Sequence, residues 1–298
     1  MKTFRSLAII LALTTVVLGQ AEAPKQKGKK EYREPTWKMP PVEGPNLHYK
    51  TFDSKTAGEP VSYLIYLPPD YTTAKDRRYP TVFWLHGIGG AQTGVPAMAE
   101  RLTKAIEAKK TPPMIVVYVN GMINSGYADG RFAVETVTIK ELIPHIDASY
   151  RTFATREGRI IEGFSMGGGG AAKWGFKYPE LFGTVSILAG AMRSPDAAAG
   201  RGMTERNPGD SPWLLAEKNL DKIRGRTAIR VAVGDKDGLK ETNRKYHELL
   251  EKLGLAHEFH VVPDAGHSPN PIYDGLDDQN WSFFRASFAR ENVGKPKA

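Results

Sequence analysis

The sequence predicts one α/β domain, a mostly parallel central sheet covered by helices on both faces, and three observations predict it. Short runs such as TVFWL at 81–85 and MIVVYV at 114–119 are apolar throughout instead of alternating, as strands buried on both faces require. These runs alternate along the chain with longer stretches whose apolar residues recur at helical spacing, the order of successive β-α-β units. The chain has 298 residues, of which 41% are hydrophobic and 25% charged, enough to bury one sizeable core and unlike a disordered or fibrous composition.

Taken in order, VSYLIYL at 61–67 opens as a strand and stops at Pro68-Pro69. The strand at 81–85 runs into Gly87 and Gly89-Gly90, 96–109 is a helix, and 114–119 is the next strand. Residues 134–150 carry Ile139, Leu142, Ile143 and Ile146 on one helical face. GRIIE at 158–162 is a strand leading into Gly163-Phe164-Ser165-Met166-Gly167, after which a helix of small residues runs to Tyr178 and is ended by Pro179. A strand at 185–188 follows. Residues 192–212 have no period and many breakers, and they read as a surface loop long enough to overhang a site. The remainder alternates again: helix 213–223, strand 229–233, helix 239–253, strand 257–262 and a closing helix at 279–291.

The chain begins with a predicted secretion signal over residues 1–23. Lys2 and Arg5 precede an apolar run from Leu7 to Leu18, and Ala21-Glu22-Ala23 fits a small-x-small cleavage site. The run is shorter than the roughly 20 residues that a spanning helix needs, so no stable membrane insertion is expected. The predicted location is therefore secreted or periplasmic. Residues 24–44 read as a basic, Pro- and Lys-rich solvated linker, and 45–298 as the catalytic domain. The formal net charge of +8 owes much to that linker, and no nucleic-acid-binding module is visible. With no cysteine, the chain has neither disulfides nor thiolate metal sites, nor the attachment point of a lipoprotein anchor.

Gly163-x-Ser165-x-Gly167 between a strand and a helix matches a nucleophile elbow, a sharp turn that exposes the serine hydroxyl above the sheet. The glycines are needed because the turn brings backbone against backbone. A serine hydroxyl is a weak nucleophile at neutral pH. It needs an adjacent base, and the base needs an acid that fixes its tautomer; with such an elbow the chain order is serine, acid, histidine. His247 lies in a predicted helix, and His257 and His260 in a predicted strand, whereas His267 stands on the loop after it, at the carboxyl edge where open α/β sheets place their sites. The acid lies in Gly234-Asp235-Lys236-Asp237. Asp237 is preferred over Asp235, which can cap the turn or pair with Lys236, and Glu241 is a third choice. His86-Gly87-Ile88-Gly89-Gly90 follows a strand, so its glycines can aim the Ile88 N–H at a developing oxyanion beside the Met166 N–H. His86 is expected to support that loop by a hydrogen bond. Tyr127, Phe132 and Trp213 are candidates to line an acyl pocket by stacking.

LHGIGG at 85–90, ELIPHIDASYR at 141–151, GFSMGGGGA at 163–171, GDKDGL at 234–239 and GHSPN at 266–270 together resemble the "putative esterase" (esterase D-like) family, above all its secreted feruloyl and acetylxylan esterase branch. The resemblance spans roughly residues 45–292. It implies an α/β-hydrolase fold, Ser165, Asp237 and His267 as triad, Ile88 and Met166 as oxyanion donors, and action without metal or cofactor. The expected substrate is a carbohydrate-linked ester. The family also contains formylglutathione hydrolases, siderophore esterases and mycolyltransferases. An acyltransferase or small-acyl esterase on the same triad, and a catalytically silent carbohydrate-binding protein, are the competing expectations.

Overall fold

The computed structural model describes residues 34–89, 94–192 and 208–289. The predicted signal peptide, linker residues 24–33 and loop residues 193–207 lie outside the described residues. Among the described residues the strands are β1 (Leu47–Ser54), β2 (Glu59–Tyr66), β3 (Thr81–Leu85), β4 (Ile115–Val119), β5 (Arg159–Phe164), β6 (Thr184–Leu188), β7 (Ala228–Gly234) and β8 (Glu258–Val262). They form one sheet in the order β1-β2-β4-β3-β5-β6-β7-β8. β1, β2 and β4 pair antiparallel, and every other pairing is parallel.

The helices are α1 (Val95–Glu107), α2 (Val134–Thr136), α3 (Ile143–Ser149), α4 (Met166–Lys177), α5 (Pro212–Lys218), α6 (Leu220–Ile223), α7 (Lys240–Lys252), α8 (Pro269–Leu276) and α9 (Asp278–Phe288). A π-helical turn, Val137–Leu142, joins α2 to α3 inside the predicted helix at 134–150. The predicted helix at 213–223 is broken at Asn219, whose side-chain amide donates to the Phe176 carbonyl at 2.8 Å.

Two elements escaped the sequence reading. β1 is an edge strand with half its residues exposed and no apolar run to mark it. α8 begins Pro-Asn-Pro, which reads as loop, yet proline is tolerated in a first helical turn because those N–H groups have no acceptor within the helix. α8 packs so closely on β8 that a Cβ at Gly275 would lie 2.1 Å from Val262.

The all-apolar strands are buried on both faces, as their composition requires. On β4, Ile115, Val117 and Val119 join the core that also holds Ile161, Ile187 and Val231, while Val116 and Tyr118 join the opposite core with Val82, Trp84 and Ile160. The second face carries a polar row. Trp84, Glu162, Ser186 and Arg230 are register partners across β3, β5, β6 and β7. Arg230 has no solvent exposure and donates to Glu162 Oε2 at 2.8 Å and to Ser186 Oγ at 2.9 Å. Tyr273 of α8 donates to Glu162 Oε1 at 2.5 Å and accepts from the Trp84 indole at 3.1 Å. The Arg230 guanidinium lies over Phe283 of α9, 4.4 Å from the ring centroid.

Within residues 34–44, which the sequence assigns to the linker, the stretch around Trp37 is docked on the sheet. β4 pairs with β2 only as far as Tyr118↔Leu64, so the Ser62 N–H has no partner on β4, and it donates instead to the Trp37 carbonyl at 2.8 Å. The Asn120 amide bonds the carbonyls of Thr36 and Trp37 at 3.1 and 3.0 Å, and Trp37 itself is buried.

A second buried charge cluster ties α4 to the chain before it. Glu135 accepts from Lys173 and Lys177 at 2.7 Å each and from the Tyr178 hydroxyl at 2.6 Å, and Lys173 also donates to the Tyr127 carbonyl. Burial pushes the Glu135 carboxyl up, but the two ammonium groups and the hydroxyl outweigh it and hold the pKa at about 2.

Two stability measurements follow from these clusters. Arg230→Met leaves Glu162 buried without its cation and should cost about 3–5 kcal/mol in urea unfolding; a loss under about 1 kcal/mol would show that the row does not hold the sheet. The folded-state pKa of Glu135 is depressed, so its contribution is fully present above the ordinary glutamate value of 4.5 and is lost as pH falls toward about 2. Glu135→Gln should therefore flatten the stability profile between those limits, as read by unfolding curves at stepped pH.

Candidate active site

Strands β3, β5, β7 and β8 all release the chain at the carboxyl edge of the sheet, and their exit loops carry the candidate residues. Ser165 follows β5 at φ +57°, ψ −116°, a conformation that costs a non-glycine residue about 1–3 kcal/mol. Three backbone bonds hold it there. Its N–H donates to the Leu188 carbonyl at 2.9 Å, and its own carbonyl accepts from Gly169 and Ala191 at 3.0 and 2.8 Å. Both elbow glycines are required by contact: a Cβ at Gly163 would lie 2.2 Å from the Gly167 carbonyl oxygen, and one at Gly167 would lie 2.0 Å from that of Leu85.

His267 stands on the loop between β8 and α8. Its Nε2 lies 2.8 Å from Ser165 Oγ and its Nδ1 2.7 Å from Asp237 Oδ2. Its ring rests against Phe164, with centroids 4.7 Å apart. The Asp237 side chain is fully buried, and its other oxygen accepts the Leu239 N–H at 2.7 Å. A buried carboxylate placed this way accepts a hydrogen bond from Nδ1–H, which keeps the ring proton on Nδ1 and leaves Nε2 as an acceptor facing the serine hydroxyl. Asp235 makes no hydrogen bond to His267, and Lys236 pairs with Asp264 at 2.7 Å instead of with Asp235. The structure therefore joins Ser165, His267 and Asp237 in one hydrogen-bonded chain.

Beside it, Met166 opens α4, so its N–H has no helical carbonyl to bond. Neither the Met166 N–H nor the Ile88 N–H has a backbone partner among the described residues. The loop after β3 approaches the elbow closely: a Cβ at Gly87 would lie 3.3 Å from Ser165 Cβ, and Gly89 takes φ +95°. The Ile88 side chain is 66% exposed.

The aromatic candidates fare differently. Tyr127 has no solvent exposure, its ring meets Trp174 edge-on at 5.3 Å, and a Cβ at Gly121 or Gly170 would collide with that ring. It is a core side chain and cannot stack on a substrate, which corrects the expectation from sequence. Phe132 is half-buried between the Trp37 ring, 6.1 Å away, and the Arg131 guanidinium at 5.2 Å. Trp213 is half-buried with its ring edge-on to Tyr246 at 5.0 Å. Two residues were missed. Phe164 supports the imidazole, and its signal was a bulky ring between the elbow glycines. Asn243 of α7 bonds both the N–H and the carbonyl of Gly190 at 3.0 and 3.1 Å, backing the loop that holds Ser165; inside a polar helical run it carried no signal.

The family model described as "putative esterase" matches residues 54–294. The chain is 29% identical over 269 residues to the Mycobacterium tuberculosis protein named Esterase Rv1288, covering 78% of this chain and 58% of that protein. It is 32% identical over 162 residues to an endo-1,4-beta-xylanase/feruloyl esterase of Xylanibacter ruminicola, covering 51% of this chain and 22% of that protein. It thus spans little more than half the length of the first relative and about a fifth of the second. Among solved structures it matches a ferulic acid esterase with TM-score 0.73 and 25% identity, covering 82% of this chain and 98% of that one. A Staphylococcus aureus S-formylglutathione hydrolase shares the fold, with TM-score 0.64 at 15% identity over 80% of this chain and 98% of that one.

If Asp237 orients His267, Asp237→Asn should lower kcat for an activated ester by up to about 10⁴-fold while Asp235→Asn stays within about tenfold. Steady-state kinetics of the two variants side by side decide it, and the reverse order would move the acid to Asp235.

Proposed function

Because the chain belongs to the putative esterase family, we propose that it is a serine carboxylic-ester hydrolase whose nucleophile is Ser165, whose base is His267 and whose orienting acid is Asp237. The observation that carries this reading is the hydrogen-bonded chain from Asp237 through His267 to a serine held on a strained elbow. Ser165 Oγ attacks the ester carbonyl carbon as its proton passes to His267 Nε2. The carbonyl oxygen becomes an oxyanion facing the Ile88 and Met166 N–H groups. When the intermediate collapses, the carbon–oxygen bond to the alcohol breaks and the imidazolium returns the proton to the leaving alkoxide. A water molecule then repeats the sequence on the acyl-enzyme, giving the carboxylic acid and free Ser165. Asp237 remains ionised and stabilises the imidazolium that forms twice in the cycle.

The His267 side chain is 41% exposed, so water reaches the base directly. That favours hydrolysis over transfer to a bound acceptor. For the substrate, we take the esters of hydroxycinnamic or acetic acid on plant cell-wall polysaccharides. The likeness to a ferulic acid esterase at TM-score 0.73 and to the xylanase/feruloyl esterase supports this choice. So does the exposed Ile88 side chain, which offers an apolar surface beside the oxyanion peptide. Secretion is part of the proposal and rests on Lys2, Arg5 and the apolar run after them. Among the described residues no helix is long and apolar enough to cross a membrane.

Hydrolysis of methyl ferulate and methyl acetate by wild type and Ser165→Ala tests both levels of the proposal. Wild type should turn over both, with kcat/KM for ferulate higher by at least about tenfold, the equivalent of about 1.4 kcal/mol of added apolar contact. Ser165→Ala should keep its circular dichroism spectrum and lose at least about 10⁴-fold in kcat. A folded Ser165→Ala variant with wild-type turnover would remove the nucleophile. Faster acetate than ferulate hydrolysis would instead move the substrate class to small acyl groups.

A further inference from the structure

The base at His267 leaves a second histidine of the site without a task. His86 ends the chain's passage out of β3, one residue before Gly87, and is 1% exposed. Its Nε2 lies 3.0 Å from the Gly121 backbone nitrogen and its Nδ1 2.7 Å from the Gly87 carbonyl oxygen. A backbone N–H only donates, so Nε2 is the acceptor and its lone pair is engaged. A carbonyl only accepts, so the ring proton sits on Nδ1 and is donated to Gly87. Both partners are backbone groups, and together they specify one tautomer of a neutral imidazole.

The Gly87 carbonyl belongs to the same peptide unit as the Ile88 N–H. Among the described residues no peptide is cis. In a planar trans peptide the C=O and N–H point in opposite directions, so whatever holds the Gly87 oxygen also sets where the Ile88 hydrogen points. Gly87, on one side of that peptide, has no Cβ to restrain its rotation. Gly89 has φ +95°, and among the described residues no other side chain hydrogen-bonds this turn. The carbonyl of His86 is fixed as well, by the Tyr127 hydroxyl at 3.0 Å. Burial, partly offset by the bond to Gly87, lowers the pKa of His86 below the ordinary histidine value.

We propose that His86 is a positioning residue for the oxyanion hole: locked in the Nδ1–H tautomer between Gly121 and Gly87, it grips the Gly87 carbonyl and so aims the Ile88 N–H at the reacting carbonyl oxygen. Tyr127 is its partner from below, which gives the buried ring a role in the reaction without contact to substrate. The inference rests on the reading of Ser165 as nucleophile and Ile88 as oxyanion donor. It goes beyond that reading in naming what orients the donor.

Two substitutions separate the two hydrogen bonds of His86. In His86→Asn the amide nitrogen occupies the place of Nδ1 and keeps the bond to Gly87. In His86→Gln the amide oxygen reaches the place of Nε2 and keeps the bond to Gly121 while releasing Gly87. With the full chain and methyl ferulate, His86→Gln should lose about 10²-fold in kcat, the loss expected for one oxyanion donor, with KM within about twofold. Its affinity for a boronic acid, which becomes tetrahedral on Ser165, should fall in parallel. His86→Asn should stay within about tenfold of wild type in both. Tyr127→Phe, a milder change that removes only the hydroxyl, should lower kcat severalfold at constant KM if His86→Gln does not fold. A purely structural His86 would lower the melting temperature of both variants and leave the ratio of boronate affinity to KM unchanged; that result, or wild-type kcat in His86→Gln, overturns the proposal. Labelling of wild-type Ser165 by a fluorophosphonate keeps the two readings apart, because unlabelled wild type would sink the hydrolase reading itself.

Discussion

The arrangement of this molecule depends on one row of polar side chains across an otherwise apolar sheet face. Apolar strands buried on both sides carry little information about register, since sliding by two residues exchanges one valine for another. Glu162, Ser186 and Arg230 remove that freedom, because a buried guanidinium and a buried carboxylate tolerate only the alignment in which they meet. Three residues after Glu162 the chain reaches Ser165, and seven after Arg230 it reaches Asp237, so the register of the row is the register of the site. Tyr273 extends the same constraint to α8, whose start follows directly on His267. The pair need not add net stability to do this; what it contributes is uniqueness of alignment.

Above that row the site is built from backbone under tension and backbone under guard. The elbow holds Ser165 in a conformation it would not choose alone, and the bonds from Leu188, Gly169 and Ala191 keep it there. The loop after β3 is the opposite case, a glycine turn that is held from outside by side chains. Tyr127 connects the two, since its hydroxyl meets the His86 carbonyl while its ring fills the space left by Gly170 on α4. Lys173, one helical turn further on, donates to the Tyr127 carbonyl and is neutralised by Glu135. The segment between β4 and α2 is thereby a brace behind the site, although its aromatic content reads in sequence as a pocket wall.

What was legible in the sequence is what composition alone decides. Apolar runs at 81–85 and 114–119 marked β3 and β4, the glycines of the elbow marked the turn of Ser165, and a histidine just past a strand marked the loop of His267. The choice between Asp235 and Asp237 was legible only as a preference, because both lie on one short loop and only the folded chain shows which carboxylate meets the imidazole. Three-dimensional placement was the barrier elsewhere. Tyr127 looks like any exposed loop aromatic until Gly121 and Gly170 are brought to either side of its ring. β1 had no apolar run because one of its edges has no neighbouring strand, and the prolines of α8 disguised a helix whose first turn can accept them. Arg230 was the overlooked signal: an arginine within the otherwise apolar IRVAV must find a partner when the strand is buried.

The docking of Trp37 bears on where this protein can be cut or joined. A boundary drawn at residue 45, where the strand pattern begins, would remove the carbonyls that satisfy Ser62 and Asn120 and uncover the pocket that Trp37 fills. Asn120 also accepts the Met122 N–H at 3.2 Å, so loosening it would reach the segment that braces the loop after β3. An excised module therefore has to include Thr36 and Trp37, and a tag or fused domain attached closer to β1 would replace part of the fold's own scaffold with foreign chain.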